Sequence, residues 1–113
     1  MKLPYRLKAF IPPEKIDDYL LSSIHEKGKY KAAFFKKIGF DTTNKALFEK
    51  SLLQIALNDD VVSIREIINK GKYFGKLYVI EGKIELSKVA KIKTVWKLLQ
   101  NKRKPSLVTV TPL

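Results

Sequence analysis

The chain has 113 residues and a formal charge of +12, from 23 Lys+Arg against 11 Asp+Glu. That length suits one domain, residues 1–113, and a hydrophobic fraction of 45% is enough for a core, which excludes a disordered basic tail. Without cysteine and with one histidine there is no disulfide scaffold, thiol nucleophile or zinc site, and no apolar run nears the roughly 20 residues of a membrane span.

Residues 3–12 alternate loosely between apolar and basic, and Pro12-Pro13 stops any strand there. Pro13 suits a first helical turn, and Glu14, Asp17 and Asp18 complement the positive end of the helix dipole. Ile16, Tyr19 and Leu20 then give an i, i+3, i+4 face, so a helix from Pro13 to about Ile24 is expected. Gly28 breaks the pattern. Tyr30, Phe34 and Ile38 mark a second helical stripe ending at Gly39, a left-handed cap. Asp41-Thr42-Thr43-Asn44 offers several N-caps for a third helix, Lys45 to Asn58, with Phe48, Leu52 and Ile55 on its inner side.

After Asp59-Asp60 the period changes. The Val/Ile content of Val61 to Ile68 favours a strand, and Asn69-Lys70-Gly71-Lys72 reads as a turn. From Lys76 to Leu86, Tyr78, Ile80, Gly82, Ile84 and Leu86 share one face of a strand. Next, Ala90, Ile92, Thr94, Trp96 and Leu98 face one way, and Lys91, Lys93 and Lys97 the other. A basic loop, Asn101 to Lys104, leads through Pro105 to a last strand with Val108 and Val110 inward and Thr109 and Thr111 outward. The expected fold is α+β, with N-terminal helices packed on one face of a roughly four-stranded antiparallel meander.

Charge is uneven along the chain. Residues 71–113 carry ten cationic and two anionic side chains, two thirds of the net excess. Such asymmetry suggests a polyanion partner, most often nucleic acid, although a lysine-rich surface also serves solubility alone. The outward group Lys91, Lys93, Lys97, Thr109 and Thr111 spaces cations roughly 6–7 Å apart, near the spacing of phosphates along a nucleic-acid strand. Threonine hydroxyls could donate to phosphate oxygens there, whereas as plain structure the lysines would guard a sheet edge against aggregation. The one histidine, His25, lies in a run with Lys27, Gly28, Lys29 and Lys31. Its free pKa of about 6.5 suits acid/base work near neutrality, and the bland alternative is a surface histidine at a helix end. There is no Walker loop, dinucleotide fingerprint or G-x-S-x-G elbow.

Taken in order, Tyr19-Leu20-Leu21, His25, Gly28, Lys31, Phe35, Gly39-Phe40, Gly75, Thr94-Val95-Trp96, Pro105-Ser106-Leu107-Val108-Thr109 and Pro112 resemble a small bacterial family of uncharacterised function. The likeness runs over residues 16–113; Glu26 stands where the family usually has proline, and Val110-Thr111 where an aromatic often precedes Pro112. The helices-then-meander order resembles, at the level of fold, the barnase–EndoU–RelE-like (BECR) group of metal-independent RNases, many of them toxins.

That resemblance implies a metal-independent endoribonuclease without a cofactor, a toxin of a toxin–antitoxin or similar conflict system; Met1-Lys2-Leu3-Pro4 opens no signal-peptide h-region, so a cytoplasmic protein is expected. The family has no established active site to carry over, so the roles follow from what such cleavage needs: His25 would be the base or acid, Lys31 and Lys93 would stabilise the phosphorane, and Thr109 would orient an oxygen. Lys29, Lys91, Thr94, Lys97 and Thr111 would hold flanking phosphates. Expected partners are RNA and an acidic inhibitor protein, with no membrane. The alternatives are a non-catalytic nucleic-acid-binding domain, or a phage- or secretion-related interaction module.

Overall fold

The computed structural model describes residues 1–21 and 26–113, and the side chains of residues 1–20 and 31–113. After a short 3-10 turn at Arg6–Lys8 come α1 (Pro13–Leu21), α2 (Glu26–Ile38) and α3 (Lys45–Asn58). The strands β1 (Val61–Asn69), β2 (Lys72–Glu85), β3 (Val89–Leu99) and β4 (Ser106–Pro112) follow. They pair antiparallel in sequence order, leaving β1 and β4 as edges. This is the expected α+β meander. Among the described residues no helix is long and apolar enough to cross a membrane.

One face of the sheet supplies the core. Tyr78, Ile80 and Ile84 of β2, Ile92 and Trp96 of β3, and Leu107 and Val110 of β4 pack against Phe35, Phe40, Phe48, Leu52 and Ile55. The period-two pattern of β2 and β3 was legible because one face is covered and the other is not. The α2 stripe is shifted from expectation. Phe35, not Phe34, is fully buried, and Phe34 sits half-buried at the rim, edge-on to Phe35. Gly39 closes α2 at φ 119° in a Schellman arrangement, with the Phe40 N–H donating to the Phe35 carbonyl and Gly39 N–H to Lys36. Asn44 stands at the N-cap of α3 without capping it, because its side chain turns back to bond Gly39 and Asp41 and so closes the α2–α3 loop.

The hairpin between β1 and β2 turns at Lys70 and Gly71, whose φ values of 53° and 74° suit a two-residue turn of the kind that matches strand twist. Gly75 has no alternative at its position. Its φ is +149°, and a Cβ there would lie 2.4 Å from the Leu98 carbonyl oxygen. In β4 a register shift opposite Val95/Trp96 alters the expected alternation. Leu107 and Val110 are buried, while Val108, expected inward, is only half-buried, since the extra residue of a bulge leaves the regular pleat.

At the centre of the core, the Trp96 indole N–H donates to Thr94 Oγ1 at 2.8 Å, and that hydroxyl donates to the Ile80 carbonyl at 2.9 Å. Both side chains are fully buried. Thr94 is therefore core and does not face nucleic acid, which corrects its expected place among the phosphate-holding residues. A buried indole N–H needs an acceptor, and the residue two positions earlier on the same strand face provides it.

Trp96→Ala should cost about 3–5 kcal/mol and Thr94→Val about 1–3 kcal/mol in urea unfolding, the latter by leaving the indole N–H unpaired. Unchanged stability of Thr94→Val would contradict this account of the buried pair.

Candidate functional site

Burying Trp96, Ile92 and Thr94 turns Lys91, Lys93, Val95 and Lys97 to the opposite face of β3. The register then fixes their neighbours. Lys93 stands opposite Thr111 of β4 and Glu81 of β2, Val95 opposite Thr109, and Lys97 opposite Ser106. Thr109 is thus diagonal to both Lys93 and Lys97, at a Cα separation of about 7–8 Å. Among the described residues no ion pair involves Lys91, Lys93 or Lys97. Lys91 is farther off. It stands opposite Lys83, four residues along β3 from Val95 and so about 13 Å from the Thr109 row.

The helical layer meets this face at the edge strand. Lys31 of α2 donates from Nζ to Thr109 Oγ1 at 3.0 Å, and the same ammonium lies 5.2 Å from the centroid of the Tyr19 ring. The Tyr19 hydroxyl in turn donates to the Val108 carbonyl at 3.4 Å. Two helices and the open edge of the sheet therefore converge at Thr109. Burial raises the Tyr19 pKa, and hydrogen bonds from the Thr109 side chain and the Val110 backbone oppose that rise. The phenol is neutral at physiological pH and holds an orienting position beside a cation.

Of the residues read from the sequence, the structure brings Lys31 and Thr109 into hydrogen-bond distance and sets Lys93 and Thr111 beside them. Lys97 lies on the same face next to Ser106. Lys91 lies at the far end of the face, and Thr94 is in the core. His25 and the side chain of Lys29 fall outside the described residues. Sequence reading missed Tyr19. Its helical spacing marks it as core, which its ring is, but the polar tip of a rim tyrosine was the signal that it reaches something beyond the core. Among the described residues, no three His, Cys, Asp or Glu side chains come together.

An edge strand carrying hydroxyls, held by a lysine from a helix and flanked by further cations, gives this α+β domain a surface suited by charge to an anion at β4. The chain belongs to the family described as Domain of unknown function (DUF6883), whose pattern matches residues 2–113. A search of curated proteins finds no significant match. Among solved structures, it is similar to a chain of the contact-dependent growth inhibition toxin–immunity protein complex from Klebsiella pneumoniae 342. The TM-score is 0.69 at 13% identity, over 93% of this chain and 100% of that one. At that identity the likeness is one of fold.

Because the folded-state pKa of Tyr19 stands above its unfolded value near 10, its stabilising contribution is complete below about pH 10 and is lost as pH rises through the folded value. The urea midpoint of the wild type should therefore fall more steeply above about pH 10 than that of Tyr19→Phe. Parallel pH profiles would contradict the burial of this phenol.

Proposed function

We propose that the chain is a metal-independent endoribonuclease domain of the toxin kind, acting on RNA in the cytoplasm. The observation that carries this reading is the Lys31–Thr109 bond at the β4 edge, with Lys93 and Thr111 alongside. RNA supplies its own nucleophile. The 2′-hydroxyl attacks the neighbouring phosphorus, its proton passes to a base, the P–O5′ bond breaks, and an acid protonates the departing 5′ oxygen. The protein must then supply fixed positive charge where the phosphorane oxygens gain negative charge, and a group that moves a proton near neutrality.

Lys31, held in place by Thr109 and the Tyr19 ring, meets the first need, with Lys93 one diagonal away. A pre-positioned ammonium loses little side-chain freedom when the phosphate arrives, so more of its Coulomb energy is realised in the transition state. His25, six residues before Lys31 in sequence, is the proton-moving group of the proposal, as base or acid. Lys29, Lys97 and Thr111 hold flanking phosphates, with Lys91 at the far end of the face. A cell making such an enzyme needs an inhibitor, and a surface of net charge +12 is complementary to an acidic protein. The fold shared with a chain of a toxin–immunity complex supports that partner class.

His25→Ala should slow cleavage of labelled RNA about 10²- to 10⁴-fold in excess EDTA while leaving RNA affinity nearly unchanged. Lys31→Ala should lower both rate and affinity. Equal rates for wild type and His25→Ala at equal folded concentration would remove His25 from the chemistry. Binding without cleavage by the wild type would make the domain a non-catalytic nucleic-acid binder.

A further inference from the structure

The sheet edge has a second cationic feature, which shares only Lys97 with the residues of the proposed cleavage site. Between the N-terminal 3-10 turn and the β3–β4 loop lies a cavity of about 620 Å³, lined by Lys8, Phe10, Lys97, Lys102, Arg103 and Lys104, with no acidic residue in its wall. All five cations are exposed, and none takes part in an ion pair among the described residues. Phe10 is 44% exposed in their midst.

An exposed phenyl ring among five such cations needs a reason, and the backbone shows that its place is built. Phe10 N–H donates to the Pro105 carbonyl at 3.0 Å, and its own carbonyl accepts from Leu107 N–H at 3.1 Å. These bonds form a parallel bridge that pairs Phe10 with Ser106, the first residue of β4, along the outer edge of that strand. The ring is thus fixed relative to β4 by main-chain bonds that do not depend on the side chain. Ser106, also in the cavity wall, is three residues before Thr109, roughly 10 Å along the strand. Successive phosphates of an extended strand would cover that gap within one or two nucleotides.

We infer that this groove is a binding subsite for single-stranded RNA, in which Phe10 stacks on an unpaired base while Lys8, Lys97 and the Lys102–Lys104 run neutralise phosphates. This deepens the ribonuclease reading and rests on it for the identity of the polyanion. A groove that combines a stacking ring with backbone-tracking cations is the general pattern for single strands. A duplex would keep its bases from the ring. An acidic protein would use the cations and have less use for a phenyl ring inside a cavity.

The test uses a fluorescein-labelled single-stranded RNA of about 12 nucleotides with 2′-O-methyl riboses, which binds but has no 2′-hydroxyl to attack. Anisotropy titrations of the wild type, Phe10→Ala, Phe10→Trp and the triple variant Lys102→Ala/Arg103→Ala/Lys104→Ala are compared over a range of salt. Phe10→Ala should weaken binding about 5- to 100-fold, and Phe10→Trp should restore it. The triple variant, which alters only an exposed loop, should lower the slope of log affinity against log salt by about 2, or roughly 0.7 for each phosphate that is no longer neutralised. Unchanged affinity and slope in both variants would overturn the groove, as would equal binding of a duplex of the same length. Groove-dependent binding with no cleavage of ordinary RNA would overturn the nuclease reading and leave the groove standing.

Discussion

The Trp96 indole is the constraint on which the rest of the sheet depends. A buried N–H without an acceptor costs about 1–3 kcal/mol, so Trp96 can lie inside only if Thr94 lies inside with it and passes the hydrogen bond on to Ile80. Strand side chains alternate, so this one choice sends Lys91, Lys93 and Lys97 to the other face. Slipping the register by one residue would bury three lysines and expose the largest side chain of the core. No compensating interaction in the helical layer could offset that.

From β3 the constraint passes to β4. Pairing Thr94 with Val110 keeps Val110 inside and places Thr109 and Thr111 on the lysine face. An edge strand with an open row of backbone groups invites aggregation, and here two parts of the chain cover that edge. The Phe10 bridge pairs its beginning, and Tyr19 reaches the Val108 carbonyl farther along. Lys31 follows Tyr19 to the same place and meets Thr109. Protection of the edge and concentration of charge and hydroxyls at one spot therefore come from the same packing of α1 and α2 beside β4.

The fold was legible because its signals are local. Alternation over β2 and β3, the Lys70-Gly71 turn, and the Gly39 cap each occupy a few consecutive residues and follow from backbone geometry. What escaped notice depends on distant pairing. The β4 bulge that displaces Val108 is set by the register with β3, and the shift from Phe34 to Phe35 depends on where α2 lies against Phe48. Alternation along β3 puts Thr94 on the face of Ile92 and Trp96, at odds with a phosphate-holding role, and its bond to Trp96 gives the reason a hydroxyl lies there. The approach of Lys31 to Thr109 joins positions 78 apart in sequence, and no local pattern could have placed it. The same holds for Phe10 beside Pro105, where a loosely alternating N-terminal segment gave no hint of a bridge to the last strand.

In the proposed reaction the RNA supplies its own nucleophile, and the protein supplies fixed charge and a proton carrier. The end groups of the products test it most directly, because attack by the 2′-hydroxyl and attack by water leave different ends. Incubation of a defined single-stranded RNA with the purified chain in excess EDTA, followed by end-group analysis, should give fragments ending in a 2′,3′-cyclic phosphate and beginning with a 5′-hydroxyl. Fragments bearing 3′-hydroxyl and 5′-phosphate ends, or intact RNA after prolonged incubation with folded protein, would contradict the account.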